Sequence, residues 1–86
     1  MIVNIPGPLR SYTKNKSQVE GRGESLSALL NDLDSHYPGI KFRMIDEQDN
    51  IRQHIRLFVD AKQAKDISVS VNPSSTVHII CALSGG

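Results

Sequence analysis

The last two residues of the sequence, Gly85 and Gly86, offer a carboxylate on a stretch of backbone that has no side chains. Glycine has no Cβ and adopts conformations closed to other residues, so two in a row make a narrow, compliant tail. Residues 83–86 would reach about 13 Å when extended at ~3.3 Å per residue, far enough to enter a channel in another protein. We therefore predict a domain over residues 1–82 and a flexible tail over 83–86. The alternative is an unconstrained chain end that contains glycine by chance.

Other residues with reactive side chains give weaker signals. Cys81 is the only cysteine, which excludes an internal disulfide. It could carry a persulfide, but a lone cysteine on the inner face of a strand is more typical of a small buried hydrophobe. The histidines at 36, 54 and 78 have no metal-ligand spacing, so we predict no metal site. The segment Gly21-Arg22-Gly23 lacks the Gly-Lys-Ser/Thr end of a phosphate loop, and we interpret it as a turn.

The size and composition of the chain exclude several classes of function. With 86 residues it forms one domain with a modest core, so a function that uses a partner's pocket is favoured. A net charge of +1 and only four aromatic residues argue against nucleic-acid binding. No apolar run approaches the ~20 residues of a membrane span, and the first residues do not resemble a signal peptide. We expect a cytoplasmic protein without membrane association.

The element that must organise the domain is a helix. Its apolar positions follow the spacing i, i+3, i+4, i+7 and i+11, which makes one helical stripe. These positions are Leu26, Leu29, Leu30, Leu33 and Tyr37. Ser25 is suited to the N-cap, and Pro38-Gly39 is suited to ending the helix. The pattern predicts a helix from about Ser25 to His36 with its leucines buried.

The remaining apolar runs predict strands. Residues 1–5 and 16–20 form a predicted hairpin, and residues 55–60, 67–71 and 76–82 alternate between apolar and other residues. In the strand over residues 55–60 we expect Ile55, Leu57 and Val59 to point inward. In the strand over residues 76–82 we expect the same of Val77, Ile79 and Cys81. Residues 61–66 are interpreted as a turn or short edge strand, 40–45 as a segment of uncertain form and 46–52 as a loop. One main helix across a mixed sheet of four to five strands is an α+β architecture, with the first and last strands central.

Alternation also predicts which apolar side chains face away from the helix. Phe58, Ile80 and Ala82 fall on the outer face, beside the point where the tail begins. Scattered surface apolar residues need no explanation, but a contiguous patch commonly marks a partner site. We predict that these three residues bind a partner together with Leu83 and Ser84 of the tail.

Several motifs together resemble one family, the ThiS/MoaD sulfur carriers, which are ubiquitin-like β-grasp proteins. The motifs are a hairpin start with Ile5-Pro6-Gly7-Pro8-Leu9-Arg10, the leucine-striped helix, Leu57-Phe58-Val59-Asp60 and the ending Leu83-Ser84-Gly85-Gly86. Within the family the chain looks most similar to the cysteine-biosynthesis carriers of the CysO type. They share the IP-x-x-LR opening, the stop after the helix and a longer insertion, here residues 46–53.

The resemblance implies a specific chemistry for the tail. In the family, an E1-like adenylyltransferase uses ATP and magnesium to adenylate the terminal carboxylate, here that of Gly86. Sulfur from a sulfurtransferase or persulfide donor then gives a thiocarboxylate, which a sulfur-accepting biosynthetic enzyme uses. Gly85 would let the chain enter the active site. The chain would bind no cofactor and would be a protein co-substrate, not an enzyme.

The resemblance leaves alternatives open. The chain could be the small subunit of molybdopterin synthase, or a ubiquitin-like modifier that Gly86 joins to lysines. It departs from the family at residues 72–75, where Asn-Pro-Ser-Ser replaces an Asp-Gly-Asp-like turn. It also has Cys81 and Ala82 where proline is common. These departures concern the subfamily and the partner, and the acceptor of the sulfur is not predicted.

Overall fold

The structure, a computed structural model, describes residues 1–82. A five-stranded sheet has the order β2-β1-β5-β3-β4, with β1 and β5 parallel and the other neighbours antiparallel. Its strands are β1 (Ile2–Asn4), β2 (Gln18–Glu20), β3 (Ile55–Val59), β4 (Lys62–Ala64) and β5 (Thr76–Cys81). The helices are a 3₁₀ helix (Gly7–Thr13), α1 (Leu26–His36) and α2 (Ile40–Met44). The predicted α+β fold with a mixed sheet and a central last strand is confirmed.

Helix α1 supplies much of the core. Ser25 is its N-cap, and the Ser25 hydroxyl accepts a hydrogen bond from the Ala28 amide at 3.2 Å. This bond satisfies one of the amides that the first turn of a helix leaves without a partner. The four leucines of the stripe are fully buried: Leu26, Leu29, Leu30 and Leu33. The predicted helix and its buried face are therefore confirmed.

The two faces of the sheet differ as the alternation predicts. The buried side chains lie on the side covered by α1: Val3, Val19, Ile55, Leu57, Val77 and Ile79. Val59 and Cys81 were also expected to point inward, and they pack against this core but are only half-buried. Each is the last residue of its strand.

Residues 67–71 do not form the strand that their alternation suggests. The carbonyl groups of Ile67 and Val69 accept hydrogen bonds from the amides of Ser27 and Leu26, at 2.8 and 2.9 Å. The segment thus pairs with the start of α1, whose first amides have no partner within the helix. Ile67 and Val71 are buried, so the alternation reflects burial against the core. Among the described residues the segment forms one isolated bridge, from Ser70 to Ser25, and no strand of the sheet.

Two further helical turns were not predicted. Residues 7–13, to which no helix or strand was assigned from the sequence, form a 3₁₀ helix with proline near its start, a position that tolerates a missing amide. Residues 40–44, of uncertain form in the sequence, form α2. Gly39 precedes α2 with φ of 96°, a conformation that favours glycine. Both turns bury an apolar anchor, Leu9 in the first and Ile40 in the second.

Candidate functional site

The candidate site surrounds the end of β5, because the predicted tail begins just after it. Cys81 pairs with Ile55 of β3, and the Ala82 amide donates a hydrogen bond to the His54 carbonyl at 2.7 Å. The chain is therefore held by the sheet up to Ala82. The predicted tail residues Leu83, Ser84, Gly85 and Gly86 lie outside the described residues, so the division into a domain and a tail stays a prediction.

Two of the predicted docking residues are neighbours on the open face of the sheet. Ile80 stands opposite Arg56 and Phe58 stands opposite His78, so the two apolar side chains are diagonal across β3 and β5. Diagonal positions on one face are within reach of aromatic and long side chains. Ile80 is 44% exposed, whereas Phe58 is half-buried. Their predicted orientation, away from α1, agrees with the buried positions that alternate with them.

The apolar patch on this face is small. Ile2 is equally exposed at 42%, but it pairs with Thr76 at the other end of β5. Asn4 and His78 lie between, joined by a hydrogen bond of 3.0 Å between Asn4 Nδ2 and His78 Nδ1. The open-face patch therefore consists of Phe58 and Ile80, with the exposed Ala82 following at the end of the strand. Whether it binds a partner stays a prediction.

Cys81 points to the other side of the sheet from Ile80 and is half-buried. Burial raises the pKa of the Cys81 thiol above its ordinary value. A thiol with a raised pKa is protonated at neutral pH and is a poor nucleophile, since the thiolate is the reactive form. This environment fits the interpretation of Cys81 as a packing residue better than that of a persulfide carrier.

A pocket of about 340 Å³ lies beside Cys81. We call it the basic pocket, and it is lined by Pro8, Leu9, Phe42, Arg43, Arg52, His54 and Cys81. Its two arginines, Arg43 and Arg52, were not predicted from the sequence as site residues. They come from α2 and from the loop before β3, and no local motif indicates that such segments meet.

Two other candidates from the sequence, His36 and residues 21–23, make contacts that give them structural roles. His36 is the last residue of α1, and its Nδ1 lies 2.9 Å from the Asp32 carbonyl oxygen. Residues 21–23 connect β2 to α1, and the Arg22 amide donates to an Asp32 carboxylate oxygen at 3.0 Å. A Cβ on Gly21 would lie 2.4 Å from a Leu29 methyl carbon, so glycine there permits close packing of α1.

Neither a metal cluster nor a membrane-spanning helix is found within residues 1–82. Over that range no group of three His, Cys, Asp or Glu side chains is placed to hold a metal ion. In the same range no helix combines the length and the apolar character needed to cross a bilayer. The absence of a metal cofactor and the cytoplasmic location stay predictions.

Comparison with known proteins covers the whole chain. The model of the ThiS family matches residues 3–86. The sulfur carrier protein CysO of Mycobacterium tuberculosis is 28% identical over 89 residues, which span 98% of this chain and 96% of the relative. The match thus includes both the β-grasp domain and the terminal glycines.

Solved structures agree with this comparison. A chain in the crystal structure of the Amycolatopsis orientalis BexX/CysO complex superposes with a TM-score of 0.91 at 27% identity, covering 99% of this chain and 98% of that one. The solution structure of small archaeal modifier protein 1 from Methanosarcina acetivorans gives a TM-score of 0.81 at 18% identity, covering 99% and 94%. The second likeness shows the shared ubiquitin-like β-grasp fold alone.

Proposed function

Since the chain belongs to the ThiS family, whose members are small ubiquitin-like sulfur carriers, we propose that its Gly86 carboxylate is the group that carries sulfur. The carboxylate is adenylated and then converted to a thiocarboxylate, which donates sulfur in the biosynthesis of cysteine or a related metabolite. The chain is a co-substrate in this scheme, and the catalytic machinery belongs to its partners.

The observation that most supports this proposal is the position of β5. The central strand is fixed between β1 and β3, and the bond from Ala82 to His54 fixes the chain one residue further. The family match continues from Ala82 through residues 83–86. A rigid base with a short, narrow extension suits delivery of a carboxylate into a partner's active site, because a rigid base limits the positions that the end must search.

The proposed reaction needs activation because a carboxylate is a poor electrophile at neutral pH. An E1-like adenylyltransferase joins the Gly86 carboxylate to AMP, using ATP and magnesium and releasing pyrophosphate. The outer sulfur of a persulfide, held by a sulfurtransferase or another persulfide donor, then displaces AMP from the acyl carbon and forms an acyl disulfide. A thiol of the donor or of a small-molecule reductant cleaves the S–S bond, which releases the thiocarboxylate and leaves a disulfide in its place. The resulting thiocarboxylate is a soft nucleophile bound to a protein, so a sulfur-accepting biosynthetic enzyme receives sulfur without free sulfide.

The open-face patch is the proposed docking surface for these enzymes. Phe58 and Ile80 lie beside the exit of the chain, and aromatic residues are enriched at protein interfaces. The known BexX/CysO complex is an assembly of a similar carrier with another protein. We infer that Phe58, Ile80 and Ala82 contact the partner while Leu83 and Ser84 line the entrance to its active site.

Intact mass spectrometry tests the proposal. After incubation with the E1-like enzyme of the same organism, ATP, magnesium and a sulfur donor, we expect a gain of about 16 Da, as sulfur (~32) replaces oxygen (~16). Deleting Gly86 should abolish the gain, and Gly85→Val should reduce it strongly by widening the tail. Neither change should alter the melting temperature.

A shift that survives deletion of Gly86, or one that maps to Cys81, would contradict the proposal. The Cys81→Ser variant is the matched control, since it removes the only thiol and leaves the terminal carboxylate in place. We expect this variant to acquire sulfur as the wild type does.

A further inference from the structure

The basic pocket combines positive charge with exposed aromatic surface, and neither is needed to pack the core. Arg43 is exposed, and Phe42 is 57% exposed, the largest value among the large hydrophobic residues that are exposed in residues 1–82. Pro8 and Leu9 of the 3₁₀ helix form another part of the wall. Arginine and aromatic residues together are characteristic of protein interfaces.

Arg52 is held in a fixed orientation within this pocket. Its Nε donates a hydrogen bond to the Phe42 carbonyl oxygen at 2.7 Å, and its guanidinium carbon lies 4.5 Å from the centre of the Phe42 ring. These contacts leave the two Nη groups without a hydrogen-bond acceptor among residues 1–82. A guanidinium that is already oriented and has free Nη groups is suited to bidentate binding of a carboxylate.

No acidic group of the domain satisfies these arginines. In the described part of the chain, the one ion pair within 4.0 Å joins His36 to Asp32, on α1. Asp46, in the loop before Arg52, instead accepts hydrogen bonds from the amides of Gln48 and Asn50 with its Oδ1. No Asp or Glu lines the pocket. Within residues 1–82, its positive charge therefore has no carboxylate partner.

The basic pocket lies next to the end of β5, after which the predicted tail begins. Cys81 forms part of its wall, and His54, which also lines it, accepts the hydrogen bond from the Ala82 amide. Any enzyme that takes residues 83–86 into its active site must come close to this surface. The pocket lies on the side of β5 opposite Ile80, so the two surfaces flank the end of β5, after which the predicted tail begins.

We propose that the basic pocket is a second docking site, which binds carboxylate side chains of the activating enzyme. The inference rests on the proposed function and adds the chemistry of its partner. The acidic groups hold the carrier through Arg43 and Arg52 while the tail enters the active site. Complementary charge raises the rate at which two proteins associate and fixes their relative orientation. Both effects weaken as salt screens the charges.

The test compares two double variants that each remove two positive charges. R43Q/R52Q changes the basic pocket, and K62Q/K65Q changes exposed lysines near β4, away from the pocket. Pyrophosphate release by the E1-like enzyme that modifies the wild-type carrier gives kcat and the KM for the carrier. We expect R43Q/R52Q to raise this KM by about tenfold or more at low salt with kcat little changed, and the control to stay within about twofold. The difference should shrink as salt is raised from about 0.05 to about 0.5 M.

Folding is checked separately because Arg52 bonds to the backbone of α2. The single variant Arg43→Gln removes charge without that contact, and it should give part of the KM increase at an unchanged melting temperature. Equal KM values for both double variants would overturn the docking site while leaving the carrier function standing. An increase in the KM for ATP instead would assign the pocket to the nucleotide and overturn the proposal. Absence of the mass gain in the wild type would mean that the proposed function itself fails, and this inference with it.

Discussion

At the scale of single residues, the environment of Cys81 decides what the thiol can do. The raised pKa arises from burial, which disfavours the charged thiolate. The thiolate fraction at a given pH is therefore smaller than that of an unhindered cysteine. We expect iodoacetamide to alkylate Cys81 more slowly than free cysteine at about pH 8, and the rate to rise toward higher pH as the thiol loses its proton.

Alkylation in denaturant provides the matched control, because unfolding removes the desolvation. There Cys81 should react at the rate of an ordinary cysteine. A native rate equal to the denatured rate at about pH 8 would mean that the thiol is neither shielded nor perturbed. In that case Cys81 would return as a candidate persulfide site.

At the scale of elements, α1 has the greatest consequence for stability. Leu30 is fully buried in the core that α1 shares with the sheet. Leu30→Ala should lower the free energy of unfolding by roughly 2–5 kcal/mol, because it removes buried methyl groups and leaves a cavity. Chemical denaturation measures this change. Ile80→Ala, an apolar truncation at an exposed site, should cost less than about 1 kcal/mol; similar losses for both variants would contradict the assignment of the two faces.

At the scale of the whole molecule, the two faces of the sheet have separate roles. One face packs on α1, and the other is open and carries Phe58 and Ile80 near the end of β5, after which the predicted tail begins. We expect Ile80→Asp to weaken binding to the E1-like enzyme about tenfold or more, because a charge at the centre of an apolar contact must be desolvated. Isothermal titration calorimetry measures the Kd, and circular dichroism checks the fold.

Ile2→Asp is the matched control for this experiment. Ile2 is as exposed as Ile80 and lies on the same face, but at the opposite end of β5. If docking is centred on the exit of the chain, Ile2→Asp should bind nearly as tightly as the wild type. Equal loss for both variants would indicate a partner that covers the whole face, and no loss for either would remove the open-face patch from the interface.

Local sequence determined the features that depend on short-range spacing. The stripe from Leu26 to Leu33 fixes a helix and its buried side, because residues three and four apart share one helical face. Alternation along residues 76–81 likewise fixes the two sides of β5, so the outward position of Ile80 was predictable. The terminal glycines, together with the motifs along the chain, indicated a family that the comparison confirms.

Tertiary structure decided the features that depend on segments distant in sequence. Alternation in residues 67–71 predicted a strand, but the amides at the start of α1 took the carbonyl groups that a strand partner would have used. The basic pocket brings together residues 8, 9, 42, 43, 52, 54 and 81, which no sequence spacing relates. Burial of Cys81 and the contact of Arg52 with Phe42 likewise arise only when the chain is folded, because desolvation and ring stacking depend on neighbours that the local sequence does not specify.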